Sequence, residues 1–333
     1  MRRLPAEWEH ADAVLLAWPH IDSDWAPVLD DACRCYVDMA ASILPHAPLV
    51  IVAPDIEVVR RQLAEIDNGG IAYVEYPTND TWTRDYGPIT VVDDNGLLAI
   101  DFQFNGWGLK FASDRDNIVT QHIFNLGLIA PRLENRLGFT LEGGSIESDG
   151  NGTILTTERC LLSPTRNGDL NRNEIEAVLK EAFGARKVNW LRHGDIAGDD
   201  TDGHIDTLAR LAPDNTILYV APKQGDTELL LMEEELRALT DADGIPYRLV
   251  PLPQPAPVFD EDGNPMPATY ANFLIVNGAV IVPTYGQPES DDLALGIISE
   301  TFPDYVVKAV DCRPLITQHG SLHCSTIQLI TQI

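Results

Sequence analysis

The chain has 333 residues, and its 51 aspartates and glutamates outnumber its 23 lysines and arginines, which gives a net charge of −28. Nucleic-acid binding needs clustered basic side chains, so this composition argues against a nucleic-acid partner. The charge also opposes anionic lipids and metabolites and favours a cationic small molecule. Acidity that serves only solubility is the alternative interpretation.

The N-terminal segment predicts no targeting signal, because Glu7, Glu9 and Asp12 interrupt any apolar core there. Apolar runs such as Leu49–Ala53 are far shorter than the roughly 20 residues of a membrane span, so we expect no membrane partner. The cysteines are scattered and number 5, an odd count, which indicates reduced thiols and a cytoplasmic location.

Short apolar runs rich in β-branched or aromatic residues, each flanked by Gly, Pro, Asn or Asp, are predicted to be strands. In chain order they are Leu49–Pro54, Leu97–Phe102, Thr153–Thr157, Thr216–Pro222 and Ala279–Tyr285. Their centres are about 48, 56, 63 and 63 residues apart, which indicates a repeated supersecondary unit of about 60 residues.

Between these runs, apolar residues recur at helical spacing. One predicted helix follows Asp55, a typical N-cap, and another stops at Gly184, a typical helix terminator. The predicted ranges are 27–44, 56–66, 175–183, 227–240 and 291–300. Strand and helix therefore alternate, which predicts the α/β class.

No break in composition divides the chain, so we expect a single domain over residues 1–333. The most loop-like stretch is Pro251–Pro267, which is rich in proline and contains an acidic turn. We interpret it as a surface loop, and a flap over a site is the alternative.

Polar residues gather in four segments with turn-like or glycine-rich surroundings, namely Asn79–Pro88, Leu141–Ser145, Gly198–Asp206 and Gly320–Cys324. With Asp85, Glu142, His204 and Cys324 as markers, the steps are about 57, 62 and 120 residues, the last being about two repeat lengths. The polar segments therefore keep the period of the strands. A ring of repeats would bring one polar loop from each module to a common centre.

His204 and Asp206 are two residues apart, and in a strand such residues face the same side. Both would then point at one ligand. The aspartates from Asp199 onward do not match the calcium-binding loop pattern, whose terminal glutamate is also missing. We therefore expect no metal site.

Cys324 is a candidate nucleophile, and a buried inert thiol is the alternative. A nucleophilic thiol needs a base or a cation nearby, and His204, His319 and His323 are the candidates. We interpret Cys160 as a packing residue.

Trp82 lies close to Asp85 in the sequence, and an aromatic wall beside a carboxylate suits a flat cation. The alternative is a core tryptophan next to a structural turn formed by Arg84 and Asp85.

Several motifs together resemble the agmatine deiminase family, the bacterial-type branch that also contains peptidyl-arginine deiminases. They follow the family's order over almost the whole chain. The matching stretches are Leu4–Glu9, Leu16–Pro19, Trp82–Pro88, Phe104–Gly108, Leu141–Ser145, Asp199–Asp206, Val282–Gly286 and His323–Cys324.

This resemblance implies a pentein-like fold, a five-bladed pseudo-symmetric α/β propeller of ββαβ-type modules around a central guanidine site. It implies hydrolysis of a guanidinium to a ureido group and ammonia. By match to the motifs, Cys324 is implied to be the nucleophile, His204 the general acid and base, and Glu142 the residue that orients His204.

The resemblance also implies that Asp85 and Asp206 hold the guanidinium and that Trp82 lines the pocket. A thiolate attacks the central carbon once two carboxylates fix the plane and charge of the cation. No cofactor or metal is implied. The expected partner is a small cationic guanidine, and a homo-oligomer is compatible with the sequence.

The substrate tail is the least determined feature. A typical Gly-Gly-Gly run before the His-Cys pair is replaced by Thr317–Leu322, and Phe104–Lys110 carries Gly and Trp where carboxylate-binding arginines would stand. With the acidic charge, this favours agmatine over free or peptidyl arginine. An amidinotransferase, a non-catalytic guanidine or polyamine binder and a cysteine protease are the other hypotheses.

Overall fold

The computed structural model describes residues 2–331, and within that range strands and helices alternate along the chain. The strands are β1 (Ala13–Ala17), β2 (Leu49–Ala53), β3 (Ile71–Glu75), β4 (Ile89–Asp93), β5 (Gly96–Gln103), β6 (Leu133–Thr140), β7 (Ile146–Ser148), β8 (Thr153–Thr157), β9 (Lys187–Leu191), β10 (Ala209–Ala212), β11 (Thr216–Val220), β12 (Arg248–Leu252), β13 (Val258–Phe259), β14 (Pro265–Met266), β15 (Leu274–Val276), β16 (Ala279–Thr284), β17 (Val306–Asp311) and β18 (Ile327–Leu329).

The helices vary from single turns to four turns in length. They are α1 (Leu29–Ile43), α2 (Ile56–Gln62), α3 (Thr83–Tyr86), α4 (Gly106–Leu109), α5 (Asp116–Asn125), α6 (Glu158–Leu161), α7 (Pro164–Asn167), α8 (Arg172–Phe183), α9 (Thr227–Ala238), α10 (Pro288–Thr301) and α11 (Arg313–Ile316). Short 3-10 turns occupy Ala26–Val28, Gly143–Ser145 and Ile205–Thr207.

Four sheets share one topology, with strand orders β4-β5-β6, β7-β8-β9, β10-β11-β12 and β15-β16-β17. In each, the first strand is antiparallel to the second, and the second is parallel to the third. Parallel neighbours need a crossover, and helices occupy each of these connections. A fifth sheet, β18-β1-β2-β3, repeats the pattern and adds one parallel strand. The mixed α/β class is therefore confirmed.

The five predicted strands are present as β2, β5, β8, β11 and β16. Four of them are the middle strands of their sheets, but β2 is not equivalent to these. The equivalent strand of the fifth sheet is β1, which the sequence reading missed. The first predicted step of the period therefore compares unlike strands, because this module contains an additional helix and strand.

The predicted helices are present, with bounds that differ by a few residues. Asp55 caps α2 by accepting from the backbone N–H groups of Glu57 and Val58. Gly184 ends α8 with a φ of 68°, in the left-handed region that glycine adopts at low cost. The helix α5 was not predicted, since its apolar residues form no long regular stripe. No helix within residues 2–331 has the length and apolar character that crossing a membrane requires.

The C-terminal strand β18 pairs with β1 near the other end of the chain. The Thr83 hydroxyl lies 3.0 Å from the carbonyl oxygens of both Leu15 and Ser325. The backbone N–H of Arg84 donates to the carbonyl oxygen of Cys324 over 3.1 Å. These contacts fix the segment before β18 against α3.

We expect the change Thr83→Val to lower the free energy of unfolding by about 1–3 kcal/mol, because buried carbonyl groups lose a donor. Thr90→Val is the matched control, since the Thr90 hydroxyl is buried without a hydrogen-bond partner. Urea denaturation followed by circular dichroism measures both changes. Equal destabilisation by the two variants would contradict this account of Thr83.

Candidate active site

The structure brings the six predicted site residues together. They are almost entirely buried and comprise Trp82, Asp85, Glu142, His204, Asp206 and Cys324. Trp82, Asp85 and Cys324 line a cavity of about 170 Å³. Each predicted residue lies in a segment that connects one sheet to the next, rather than inside a strand. The backbone of these connecting segments is not paired in a β-sheet, so their side chains can point toward a common centre.

His204 lies between two carboxylates. Its Nδ1 is 3.6 Å from Asp85 Oδ1 and its Nε2 is 3.7 Å from Glu142 Oε2. Neither ring nitrogen has a hydrogen-bond partner. Burial alone would lower the pKa of His204, but the negative charge of Asp85 and the neighbouring Cys160 and Glu142 side chains outweigh it and raise that pKa well above its usual value. The ring is therefore an imidazolium near neutral pH.

The prediction that His204 and Asp206 lie in a strand is wrong. The two residues lie at and within the 3-10 turn Ile205–Thr207 and not in a strand. Both side chains nevertheless reach the centre. A Cβ added at Gly144 would lie 2.7 Å from His204 Nδ1 and 3.0 Å from Asp206 Oδ2, so only glycine leaves room for them.

The two guanidinium-binding candidates have different electrostatic environments. Asp206 accepts a hydrogen bond from His323 Nδ1 over 2.7 Å, and its Oδ1 has no partner. Burial opposes ionisation, but this hydrogen bond and nearby positive charges lower the pKa of Asp206. Asp85 accepts from Trp107 Nε1 and from the N–H of Gly144, each over 2.9 Å. Burial nonetheless raises the pKa of Asp85.

Cys324 is held by an amide and a carboxylate. Its Sγ is 3.3 Å from Asn272 Oδ1 and 3.8 Å from Asp206 Oδ2. Burial and the negative charges of Asp206 and Asp85 raise the pKa of Cys324 well above its usual value. Without a bound cation the residue is therefore a thiol.

Glu142 is fixed by a residue that the sequence reading missed. Arg166 Nε lies 2.9 and 2.8 Å from the two Glu142 oxygens, and its Nη1 is 2.6 Å from Asp202 Oδ2. Burial opposes the charge of Glu142, but His204 and Arg166 lower its pKa. Cys160 is buried as expected, yet its Sγ also lies 3.7 Å from Glu142 Oε2. No local sequence signal identified Arg166 or this contact of Cys160.

Asn272 is a second missed residue. Its Oδ1 accepts from the backbone N–H groups of His323 over 2.9 Å and Cys324 over 3.3 Å. Asn272 lies between the sheets β10-β11-β12 and β15-β16-β17. It is near the middle of the unusually long step in the sequence from His204 to Cys324. That gap in the period was the signal that could have found it.

Trp82 forms part of the cavity wall. A Cβ at Gly320 would overlap the Trp82 ring, so this glycine permits the close approach. Trp107, from the Phe104–Gly108 motif, lines the same cavity. No residue of Pro251–Pro267 is among those that line it in the described part of the chain, so the structure does not support a flap there.

Glu142, Cys160 and His204 carry donor atoms within 4.8 Å of one another, the kind of set that can hold a metal ion. Both Glu142 oxygens already accept from Arg166, whose positive charge opposes a second cation. The donor set therefore fits an ion pair better than a metal centre.

The outer part of the cavity is acidic. Asp24, Asp80 and Asp200 contribute to its lining, which contains no lysine or arginine among the described residues. Burial raises the pKa of Asp80 to about 7, and burial raises the pKa of Asp200 to about 6. Near pH 8 both carry negative charge.

Comparison with known proteins gives matches over nearly the full chain. The sequence pattern of the Porphyromonas-type peptidyl-arginine deiminase family matches residues 3–329. An agmatine deiminase from Pseudomonas aeruginosa (strain LESB58) is 33% identical, over 98% of this chain and 95% of the relative.

Two solved structures are also similar throughout. A provisionally named arginine deiminase from Porphyromonas gingivalis is 48% identical, with a TM-score of 0.93 and 98% of both chains covered. A Cys-to-Ser variant of the C. jejuni agmatine deiminase with substrate bound is 36% identical, with a TM-score of 0.91, covering 99% of this chain and 96% of that one.

We expect iodoacetamide to alkylate Cys324 slowly at pH 7 and faster as the pH rises, because burial and neighbouring carboxylates raise the pKa of Cys324. Asp206→Asn removes one negative charge and should accelerate alkylation at pH 8 by about tenfold, the effect of one pKa unit. Asp262→Asn, at an exposed position, is the control. Peptide mass spectrometry measures the rates, and a slower reaction in Asp206→Asn would contradict the electrostatic account.

Proposed function

The chain belongs to the Porphyromonas-type peptidyl-arginine deiminase family, and from that premise we propose that it hydrolyses agmatine to N-carbamoylputrescine and ammonia. The observation that carries this proposal is one cavity lined by the Cys324 thiol, the Asp85 carboxylate and three further aspartates, with Asp206 Oδ2 lying 3.8 Å from the thiol sulfur. It is a hydrolase that acts on the guanidino C–N bond.

Binding begins with the two carboxylates. Asp206 and Asp85 hold the edges of the planar guanidinium, and Asp206 has a free Oδ1 for this purpose. The bound cation stabilises the thiolate of Cys324 relative to the thiol, since an opposite charge favours the ionised form. The thiol proton passes to solvent, because His204 already carries its own, and the nucleophile is thus generated only when substrate is present.

The chemistry then proceeds in two displacements. The Cys324 thiolate adds to the central guanidinium carbon, and protonated His204 gives its proton to the departing ammonia. The thiouronium intermediate is attacked by water, from which neutral His204 takes a proton. As the C–S bond breaks, the second proton of that water passes to the released ammonia, and the ureido product, ammonium and the Cys324 thiolate result. Glu142 orients His204 throughout.

The acidic outer cavity favours agmatine over arginine. The distal ammonium of agmatine is attracted by Asp24, Asp80 and Asp200, whereas the α-carboxylate of arginine finds no lysine or arginine among the residues that line the cavity. Arginine deimination by the same mechanism is the second candidate, favoured by the 48% identity to a provisionally named arginine deiminase.

We also infer a five-bladed propeller in a single catalytic domain over residues 1–333. The support is topological, since five sheets repeat one strand pattern. Each connection between consecutive sheets supplies at least one residue to the site, and these residues are Asp85, Glu142, His204, Asn272 and Cys324. A pseudo-five-fold arrangement accounts for their convergence.

Substrate choice is tested by ammonia and ureido-product release from agmatine, arginine and a C-terminal-arginine peptide. We expect turnover of agmatine, and Cys324→Ala should reduce kcat by more than roughly 1,000-fold because the nucleophile is lost. Cys33→Ala, in helix α1, is the control. Preferential turnover of arginine would replace the proposed substrate, and an active Cys324→Ala would overturn the mechanism.

Agmatine binding should weaken as the pH falls from 8 to 6, because Asp80, with its pKa raised to about 7, becomes protonated and loses its charge. We expect Asp80→Asn to raise the KM for agmatine at pH 8 by roughly tenfold and to flatten this pH dependence. Butylguanidine, which lacks the distal ammonium, is the control substrate. A KM for butylguanidine that responds equally to Asp80→Asn would contradict a tail-binding role.

A further inference from the structure

A buried hydrogen-bonded chain extends from Asp206 away from the cavity. His323 Nδ1 is 2.7 Å from Asp206 Oδ2, and His323 Nε2 is 2.8 Å from Glu7 Oε2. His323 Nδ1 donates to the Asp206 carboxylate, and His323 Nε2 meets both Glu7 Oε2 and, over 3.0 Å, Arg210 Nη2. The His323 ring therefore bridges two carboxylates that lie far apart in the sequence.

Glu7 is itself held by positive charge. Arg210 Nη2 lies 2.6 Å from Glu7 Oε2, and Arg84 Nη2 lies 4.0 Å from the same oxygen. Arg210 Nε also binds Glu147 over 2.6 Å, which places a further carboxylate beside His323. Burial opposes the charge of Glu7, but Arg210 and His323 hold its pKa well below the usual value.

Neither member of this pair reaches the substrate cavity. Glu7 lines a separate cavity of about 100 Å³ that shares no lining residue with the substrate cavity. His323 is buried and lines neither one. The His323 side chain contacts Asp206 directly, so these two side chains can act on the reaction through Asp206.

The pKa values of Asp206 and Asp85 differ as expected if His323 stabilises the ionised form of Asp206. Both are buried, but the pKa of Asp206 is lowered while burial raises that of Asp85. The hydrogen bond from His323 is the largest favourable influence on the Asp206 carboxylate. The titratable and charged groups that act on or respond to Asp206 are His323, His204, Arg210, Arg84, Asp85 and Cys324.

We propose that Glu7 and His323 are positioning residues that keep Asp206 ionised and leave its Oδ1 directed at the guanidinium. This inference rests on the proposed function. His323 Nδ1 donates to one Asp206 oxygen, Glu7 holds the opposite side of the His323 ring at Nε2, and the second Asp206 oxygen has no partner and is left for the cation.

The experiment measures kcat and KM from pH 5 to 9 for Glu7→Gln, His323→Asn and His323→Leu. Butylguanidine is the substrate, because it removes the contribution of the tail-binding aspartates. His323→Asn retains a donor near the Nδ1 position, whereas His323→Leu has none. Glu9→Gln is the matched control, since Glu9 lines the same cavity as Glu7 but binds Arg3.

We expect Glu7→Gln to lower kcat/KM at pH 7 by roughly 10- to 100-fold, mainly through KM, as for a weakened charge-assisted contact. The acid limb of the kcat/KM profile should move to higher pH, because Asp206 loses the stabilisation of its ionised form. His323→Leu should lose more activity than His323→Asn, and Glu9→Gln should match the wild type.

A purely structural role predicts a different result. The variants would then have a lower Tm, but their folded fraction, counted by active-site titration, would keep the wild-type KM and pH profile. That outcome overturns the proposal.

Calorimetric binding of butylguanidine in the Cys324→Ala background separates this proposal from the catalytic one. A Glu7→Gln shift in the pH dependence of binding would support the positioning role even if agmatine were not hydrolysed. Absence of binding at every pH in Cys324→Ala, with Glu7 and His323 intact, would overturn it.

Discussion

The buried guanidinium of Arg210 is the interaction on which the rest of the structure depends. It bonds to Glu7 in the N-terminal segment and Glu147 in β7, and it donates to the carbonyl oxygens of Ala271 and Phe273 before β15. Its side chain is wholly buried. A buried charge without partners costs several kcal/mol, so the fold must bring these distant segments together around it.

The same cluster extends to the candidate active site, because Glu7 contacts both Arg210 and His323, and His323 donates to Asp206. The site therefore contains carboxylates in unlike states. The hydrogen bond from His323 and nearby positive charge lower the pKa of Asp206, whereas burial raises the pKa of Asp85. In the proposed binding mode, this difference avoids two unopposed negative charges at one place before the guanidinium binds.

The repeat explains how a site can be assembled from short connections. Much of the architecture was predictable, because β-branched runs and helix caps are local signals and each module repeats them. Asn272 was not predicted, although the long step between His204 and Cys324 left a place for it. An asparagine carries no special signal in a sequence, and its importance depends on which backbone groups lie opposite it.

The amino-acid sequence alone determined the α/β class and a repeat of about 60 residues, because these follow from local composition. It predicted the six site residues through short motifs and the family resemblance that those motifs carry. Only the tertiary structure decided that Arg166 fixes Glu142 and that Glu7 reaches Asp206 through His323. Those contacts join residues far apart in the chain. Their strength comes from burial, which removes competing water and which no spacing in the sequence records.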